Sequence, residues 1–273
     1  MTLNCNGTLI DLKTPKVMGI LNITPDSFYD GGQFNELDMA LKQTEKMLAE
    51  GATFIDIGAA SSKPGSALIS PEQEADRLFP LLERLIKRFP KTLFSVDTFN
   101  SSIAKQALER GVSLINDISG GELDQNILEA VAQFSAPYVC MHMQGTPEDM
   151  QLNPRYDSVV EEQLYFFAQK IEQMNHLGVN DIIIDPGFGF GKTLEHNYTI
   201  LKNLHQYHNL NTPILVGISR KSMVYKRLNI AATEALNGST SLHTVALLKG
   251  ANILRVHDVK EAMEVVELLQ ALN

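Results

Sequence analysis

One unit recurs along this chain: an apolar run, a polar residue at its end, a loop, and an amphipathic segment. The runs span residues 17–23, 54–57, 93–96, 114–118, 138–143, 182–184, 214–218 and 253–256. Short runs this rich in Val, Ile and Leu, with no polar alternation, read as strands buried on both faces, the condition of a parallel sheet. Between them lie helical patterns. Val160, Leu164, Phe167, Ile171 and Met174 follow one another at steps of four, three, four and three, which places them on one face of a helix. The segment 259–272 repeats the pattern. Eight strand-plus-helix units in 273 residues predict an α/β fold of the (β/α)8 TIM-barrel type, with an open doubly wound sheet as the alternative. Ahead of the first run, Asn6-Gly7 sits between short apolar segments, a hairpin turn signal, and predicts a short N-terminal β-hairpin capping the bottom of the barrel. No linker or low-complexity stretch interrupts the series, so residues 1–273 read as a single domain.

Composition narrows the function classes. A net charge of −9 argues against non-specific nucleic-acid binding, which needs basic surface. It leaves small anionic ligands open, because a cationic cleft can sit inside an acidic protein. The two cysteines, Cys5 and Cys140, form no disulfide framework and no metal-spaced pair, which fits a reducing compartment. Cys140 lies in an apolar run and reads as a small buried hydrophobe. No apolar run reaches membrane-spanning length and no basic segment precedes an apolar one at the start. The expectation is a cytoplasmic protein with no membrane contact.

In barrels of this class the chemistry sits at the C-terminal ends of the strands. The residues at those ends are Asn22, Asp56, Asp97, Asn116 with Asp117, His142, Asp185, Ser219 to Ser222, and Arg255 with His257. Amides and carboxylates suit a ligand rich in donors and acceptors. Lys221, Arg255, His257 and Asn22 come from runs that are neighbours in a closed ring, and they suit an anion. The sixth run is the most informative, because Asp185 is delivered straight into Pro186-Gly187-Phe188-Gly189-Phe190-Gly191-Lys192. Glycine permits positive φ and close approach of a ligand. The stretch is not a P-loop, since the position five before Gly191 is Pro186, and its glycines lack dinucleotide-fingerprint spacing. Four of these polar residues have plainer readings. Asp56 holds a loop or joins the site; Asp117 caps a turn; His142 is a satisfied structural histidine; Lys192 sits in solvent at a helix start.

The chain resembles the dihydropteroate synthase family. The family's motifs stand here in order: Met18 to Phe28, Ser95-Val96-Asp97-Thr98, Ile115 to Gly120, Met141-His142-Met143-Gln144-Gly145, Asp185 to Lys192, Ser219-Arg220-Lys221-Ser222 and Arg255-Val256-His257-Asp258. The resemblance implies a transferase that condenses a dihydropterin methyl diphosphate with p-aminobenzoate, giving dihydropteroate and pyrophosphate in folate biosynthesis. It implies a pterin pocket of Asp97, Asn116, Met141, Asp185, Phe190 and Lys221, and a diphosphate site of Asn22, Arg255 and His257 with Mg²⁺ held at Asn22. The p-aminobenzoate site would use Phe28, Ser62, Lys63, Pro64, Lys221 and Ser222. Asp97, Asp185, Lys221, Arg255 and His257 would carry the catalysis. Sulfonamide-type competitors and a homodimer are further implications.

One stretch departs from the family. Its second-strand loop usually reads Gly-Glu-Ser-Thr-Arg-Pro-Gly, and here it reads Ala59-Ala60-Ser61-Ser62-Lys63-Pro64-Gly65. That change puts the loop's anion contact in question and is the one feature favouring a non-catalytic pterin-binding paralogue. A pterin-binding methyltransferase domain would share the carboxylate and amide pocket, but it has no use for a diphosphate site.

Overall fold

The computed structural model of the protein describes residues 1–23, 32–60, 65–66 and 69–272, with the side chains described from residue 37 onward in the first helix. A hairpin comes first, β1 (Thr2–Cys5) and β2 (Thr8–Asp11), paired antiparallel with Cys5 opposite Thr8. Asn6 and Gly7 form its turn, both at positive φ, as the Asn-Gly pair predicts.

Eight parallel strands follow: β3 (Lys16–Asn22), β4 (Phe54–Gly58), β5 (Leu93–Asp97), β6 (Leu114–Asp117), β7 (Tyr138–Met141), β8 (Ile182–Asp185), β9 (Leu215–Val216) and β10 (Ile253–Val256). Each matches one apolar run of the sequence. The helices between and after them are α1 (Gly32–Ala49), α2 (Pro71–Arg88), α3 (Ser101–Glu109), α4 (Asn126–Phe134), α5 (Val159–His176), α6 (Leu194–Lys202), α7 (Ser222–Leu228), α8 (Leu236–Leu248) and α9 (Val259–Gln270). The strands run β8-β7-β6-β5-β4-β3-β10-β9, and the ring meets where Ile184 bridges Ile214, its N–H donating to the Pro213 carbonyl at 2.9 Å. The open doubly wound sheet is thereby excluded. The seventh strand is shorter than its run of 214–218: it starts one residue late, where the Ile214 N–H turns to the Asn252 side chain at 2.9 Å, and ends at Val216. The fifth run likewise ends as a strand at Met141, two residues early.

Side chains alternate across each strand, and the register sorts them into two environments. Val17, Ile55, Ile57, Val96, Ile115, Tyr138, Ile184 and Val256 point outward into one large core shared with the helices. Met18, Phe54, Leu114, Val139, Ile183, Leu215 and Ile253 point inward and form the bottom layer of the barrel, plugged by Leu3, Cys5 and Leu12 of the hairpin segment. The expected cap is therefore present, and it works by filling the barrel floor. Two positions further along five of the strands the inward residue is polar: Asp56, Ser95, Asn116, Asp185 and Arg255. The apolar floor makes the fold; the layer above it faces the mouth.

Candidate active site

The polar layer is a connected network. Asp56 is fully buried and accepts three hydrogen bonds, from Ser95 Oγ at 2.5 Å, Asn116 Nδ2 at 3.0 Å and Arg255 Nε at 2.6 Å. Arg255 also donates from Nη2 to Asp97 Oδ2 at 2.9 Å. One guanidinium thus bridges two carboxylates from neighbouring strands across the inner wall. Asp56 does not hold a loop; it sits inside the barrel and orients Arg255 and Asn116. Asp97 is 14% exposed. Burial pushes its carboxyl up to about 7, against the pull of Arg255.

Asp185 ends β8 on the same wall, 5% exposed, and accepts from the Gly187 N–H at 2.8 Å. Burial raises its pKa, with the Lys221 charge the main opposing influence. Lys221 follows β9, immediately before α7. Its Nζ donates to the Phe188 carbonyl at 2.6 Å and lies 4.6 Å from the Phe190 ring centroid, a cation–π distance. Burial lowers the ammonium to about 8, with Asp185 acting against the fall. Met141 is buried beside Asp185 in the register.

At the rim, Asn22 ends β3 exposed, and Gly58 leaves room between it and Asp97. His257 is exposed; its N–H donates to Ser219 Oγ at 3.2 Å and its Nδ1 lies 3.3 Å from the same hydroxyl. Arg220, with φ 53°, forms a two-pronged pair with Asp258 at 2.8 and 2.9 Å and donates to the Thr233 carbonyl at 2.7 Å. That clamp joins the β9 and β10 loops and sets both Lys221 and His257. Ser222 is the first residue of α7, half-buried. Phe28, Ser62, Lys63 and Pro64 lie outside the described residues.

Period-two alternation explains two structural readings. Asn116 points in, so Asp117 points out, where it accepts from the Ser119 N–H and hydroxyl, the Gly121 N–H and the Tyr138 hydroxyl; it caps a turn, as expected. Met141 points in, so His142 points out into a buried network, a structural histidine as expected. Lys192 overturns its reading. It is 3% exposed and not at a solvated helix start, because its chain folds back under the β8 loop. The roles missed in the sequence are those of Gln163 and of the Arg220–Asp258 pair, which act on loops from other elements; Arg220 and Asp258 lay within motifs already noted, as did the misread Lys192.

A family model described as pterin binding enzyme matches residues 18–257. A dihydropteroate synthase of Escherichia coli K12 is 43% identical over 99% of this chain and 96% of its own length. The chain belongs to the dihydropteroate synthase family. The Haemophilus influenzae dihydropteroate synthase is 42% identical over 99% of this chain and 98% of its own length. Among solved structures, the Yersinia pestis dihydropteroate synthase with a sulfonamide drug superposes with a TM-score of 0.93 at 44% identity, covering 100% of this chain and 99% of that one. The Xanthomonas albilineans dihydropteroate synthase with 4-aminobenzoic acid gives 0.92 at 36% identity, covering 99% and 97%. As a dihydropteroate synthase the chain is a transferase, and the closed barrel with its hairpin is the family's fold.

Proposed function

We propose that the mouth of this barrel performs the dihydropteroate synthase reaction with Asp97, Asn116, Asp185 and Lys221 holding the pterin edge between Met141 and Phe190. The observation that carries the assignment is the gathering of a buried and a half-buried carboxylate, a buried amide and a half-buried ammonium on one inner wall, in a chain that matches dihydropteroate synthases along its whole length. A pterin edge is an aminopyrimidinone. Its N–H groups donate to carboxylates, and its carbonyl accepts from an ammonium or amide. Asn116 commits one N–H to Asp56, which leaves its oxygen and second N–H for the ligand.

The second substrate attacks without a strong base. The aryl amine of p-aminobenzoate is unprotonated at neutral pH, so its lone pair bonds to the pterin methylene, the C–O bond to the diphosphate breaks, and an amine proton is released. Departure of the diphosphate is the harder half. Arg255, His257 and Lys221 face that step with positive charge or N–H donors, which stabilise charge as it develops. Departure ahead of attack leaves a methylene cation conjugated with the pterin ring, and Asp97 and Asp185 stabilise it. Phe28, Ser62, Lys63, Pro64, Lys221 and Ser222 are the proposed p-aminobenzoate contacts. The complexes of the Yersinia and Xanthomonas relatives support this site and sulfonamide-type competition at it.

Among the described residues no three His, Cys, Asp or Glu side chains gather as a metal-holding group. Asn22 offers one neutral oxygen at an open rim. That sparse donor set fits Mg²⁺ arriving with a diphosphate and keeping its waters, with Asn22 as the protein's ligand. When bound, the ion neutralises phosphate charge. We read the protein as a cytoplasmic homodimer; no helix among the described residues is long and apolar enough to cross a membrane.

Pyrophosphate release from purified protein with both substrates tests the reading. The expected result is release equal to product formed, lost on chelation and restored by Mg²⁺. Pterin binding without release points to a non-catalytic paralogue, and methyl transfer without pyrophosphate to the methyltransferase alternative. Sedimentation analysis of the same sample reads the dimer.

A further inference from the structure

The loop after β8 is tied down from behind at nearly every peptide. The Pro186 carbonyl accepts from Gln163 Nε2 at 2.8 Å. The Gly189 N–H donates to Asn197 Oδ1 at 2.7 Å, and the Gly189 carbonyl accepts from Gln151 at 2.5 Å. The Gly191 carbonyl accepts from the Tyr156 hydroxyl at 2.8 Å. The Phe190 carbonyl accepts from Lys192 Nζ at 2.8 Å.

Lys192 stands apart in this set because burying an amine is costly unless its N–H groups are met; burial holds its pKa well below the usual lysine range, with Asp185 acting against the fall. Its contacts are the Phe190 carbonyl, the His142 carbonyl at 3.1 Å and His142 Nδ1 at 3.1 Å, none of them a carboxylate. Three acceptors surround its Nζ. Gln163 settles the imidazole. Its oxygen accepts from the Tyr207 hydroxyl and its Nε2 reaches both Pro186 O and His142 Nδ1, so the His142 Nδ1 faces donors only and its proton is on Nε2. Burial and then the Lys192 charge hold this imidazole down to about 2, so it stays a neutral acceptor.

What this Nζ joins is the point. His142 continues β7 beyond Met141, its N–H donating to the Asp185 carbonyl at 3.0 Å. Phe190 carries the ring under Lys221, and the Phe188 carbonyl receives the Lys221 ammonium. Resting on the pterin assignment above, we propose that Lys192 is a positioning residue for the pterin pocket. Its buried Nζ locks the end of β7 to the tip of the β8 loop through these hydrogen bonds and so fixes the Phe190 ring and Phe188 carbonyl against which Lys221 is set. It touches no substrate; it acts through Phe190 and Lys221.

The test compares Lys192→Met, which removes the donors at similar length, with Lys192→Gln, which keeps an N–H donor without charge. Steady-state kinetics in both substrates and calorimetry with a pterin fragment lacking diphosphate are run well below each variant's Tm. The expected result for Lys192→Met is a rise of about tenfold in KM for the pterin diphosphate and a matching loss of fragment affinity, about 1.4 kcal/mol. The KM for p-aminobenzoate stays within about twofold, and Lys192→Gln falls between Met and parent. A lowered Tm with unchanged pterin affinity overturns the proposal, as does an equal KM rise for both substrates. Failure of both variants to fold also overturns it, since Lys192 is then a fold residue only. If the parent itself releases no pyrophosphate, the functional reading fails separately, and the fragment calorimetry still decides the role of Lys192.

Discussion

Asp185 is buried and Asp97 half-buried, and different groups hold their charge. Asp185 leans on Lys221 and the Gly187 N–H, Asp97 on Arg255. Changing either to Asn keeps its size but turns an N–H toward the ligand's N–H groups. Calorimetry with a pterin fragment should show a loss greater than about 1–3 kcal/mol, the scale of an unsatisfied buried polar group; unchanged affinity in both variants would remove the pterin assignment. The pair Asp97 and Lys221 also sets a pH dependence. Asp97, raised to about 7, takes up a proton as pH falls through that value and ceases to be a pure acceptor. Lys221, lowered to about 8, gives up its proton as pH rises through that value and ceases to be a cation. The kcat/KM for the pterin substrate should therefore be bell-shaped with its maximum between these values. Lys221→Arg should remove the alkaline limb, because a guanidinium stays charged; an alkaline limb that persists in that variant belongs to another group. At this scale the sequence names the acids and cations at the strand ends. It leaves Asp56 between a loop role and a site role, because its three partners come from three other strands.

The β8 loop shows how an element converts glycine into geometry. Gly187 has φ 68°, and a Cβ on it would overlap the His142 carbonyl oxygen. Gly178, in the turn after α5, has φ 86° with open space around it. Gly178→Ala should cost only the left-handed backbone penalty, about 1–2 kcal/mol. Gly187→Ala should cost more and also weaken pterin binding, because the clash moves the loop that carries Phe188 and Phe190. Thermal melts of the two variants with fragment calorimetry check this, and equal effects would show that the close approach is unimportant. The runs themselves show no polar alternation, but any strand turns successive side chains to opposite faces. With the barrel known, this alternation assigns Asn116 inward and Asp117 outward, and it separates Met141 from His142. It stops at Asp185, since beyond a strand end no period governs where a side chain goes. Lys192 was misread there for that reason.

For the whole molecule, the hairpin and the mouth are opposite ends of one column. Leu3 is 1% exposed in the floor of the barrel, so Leu3→Ala should destabilise the fold by about 2–5 kcal/mol. The polar layer lies between that floor and the mouth, so the same variant should bind a pterin fragment with parental affinity. Denaturant unfolding alongside calorimetry checks both, and a loss of affinity would show that floor and mouth are coupled. The sequence by itself determined the eight strand-plus-helix units, the hairpin plug, the end of the barrel that carries chemistry and, through the ordered motifs, the family. Those are consequences of local periodicity and of residues at strand ends. Only the tertiary structure decided that Arg255 bridges Asp56 and Asp97, partners 199 and 158 residues away, and that Lys192 is buried under the loop it follows. Ring closure brings the first two together, and α5 with the end of β7 covers the third. Neither distance along the chain nor the local pattern encodes which surfaces will meet.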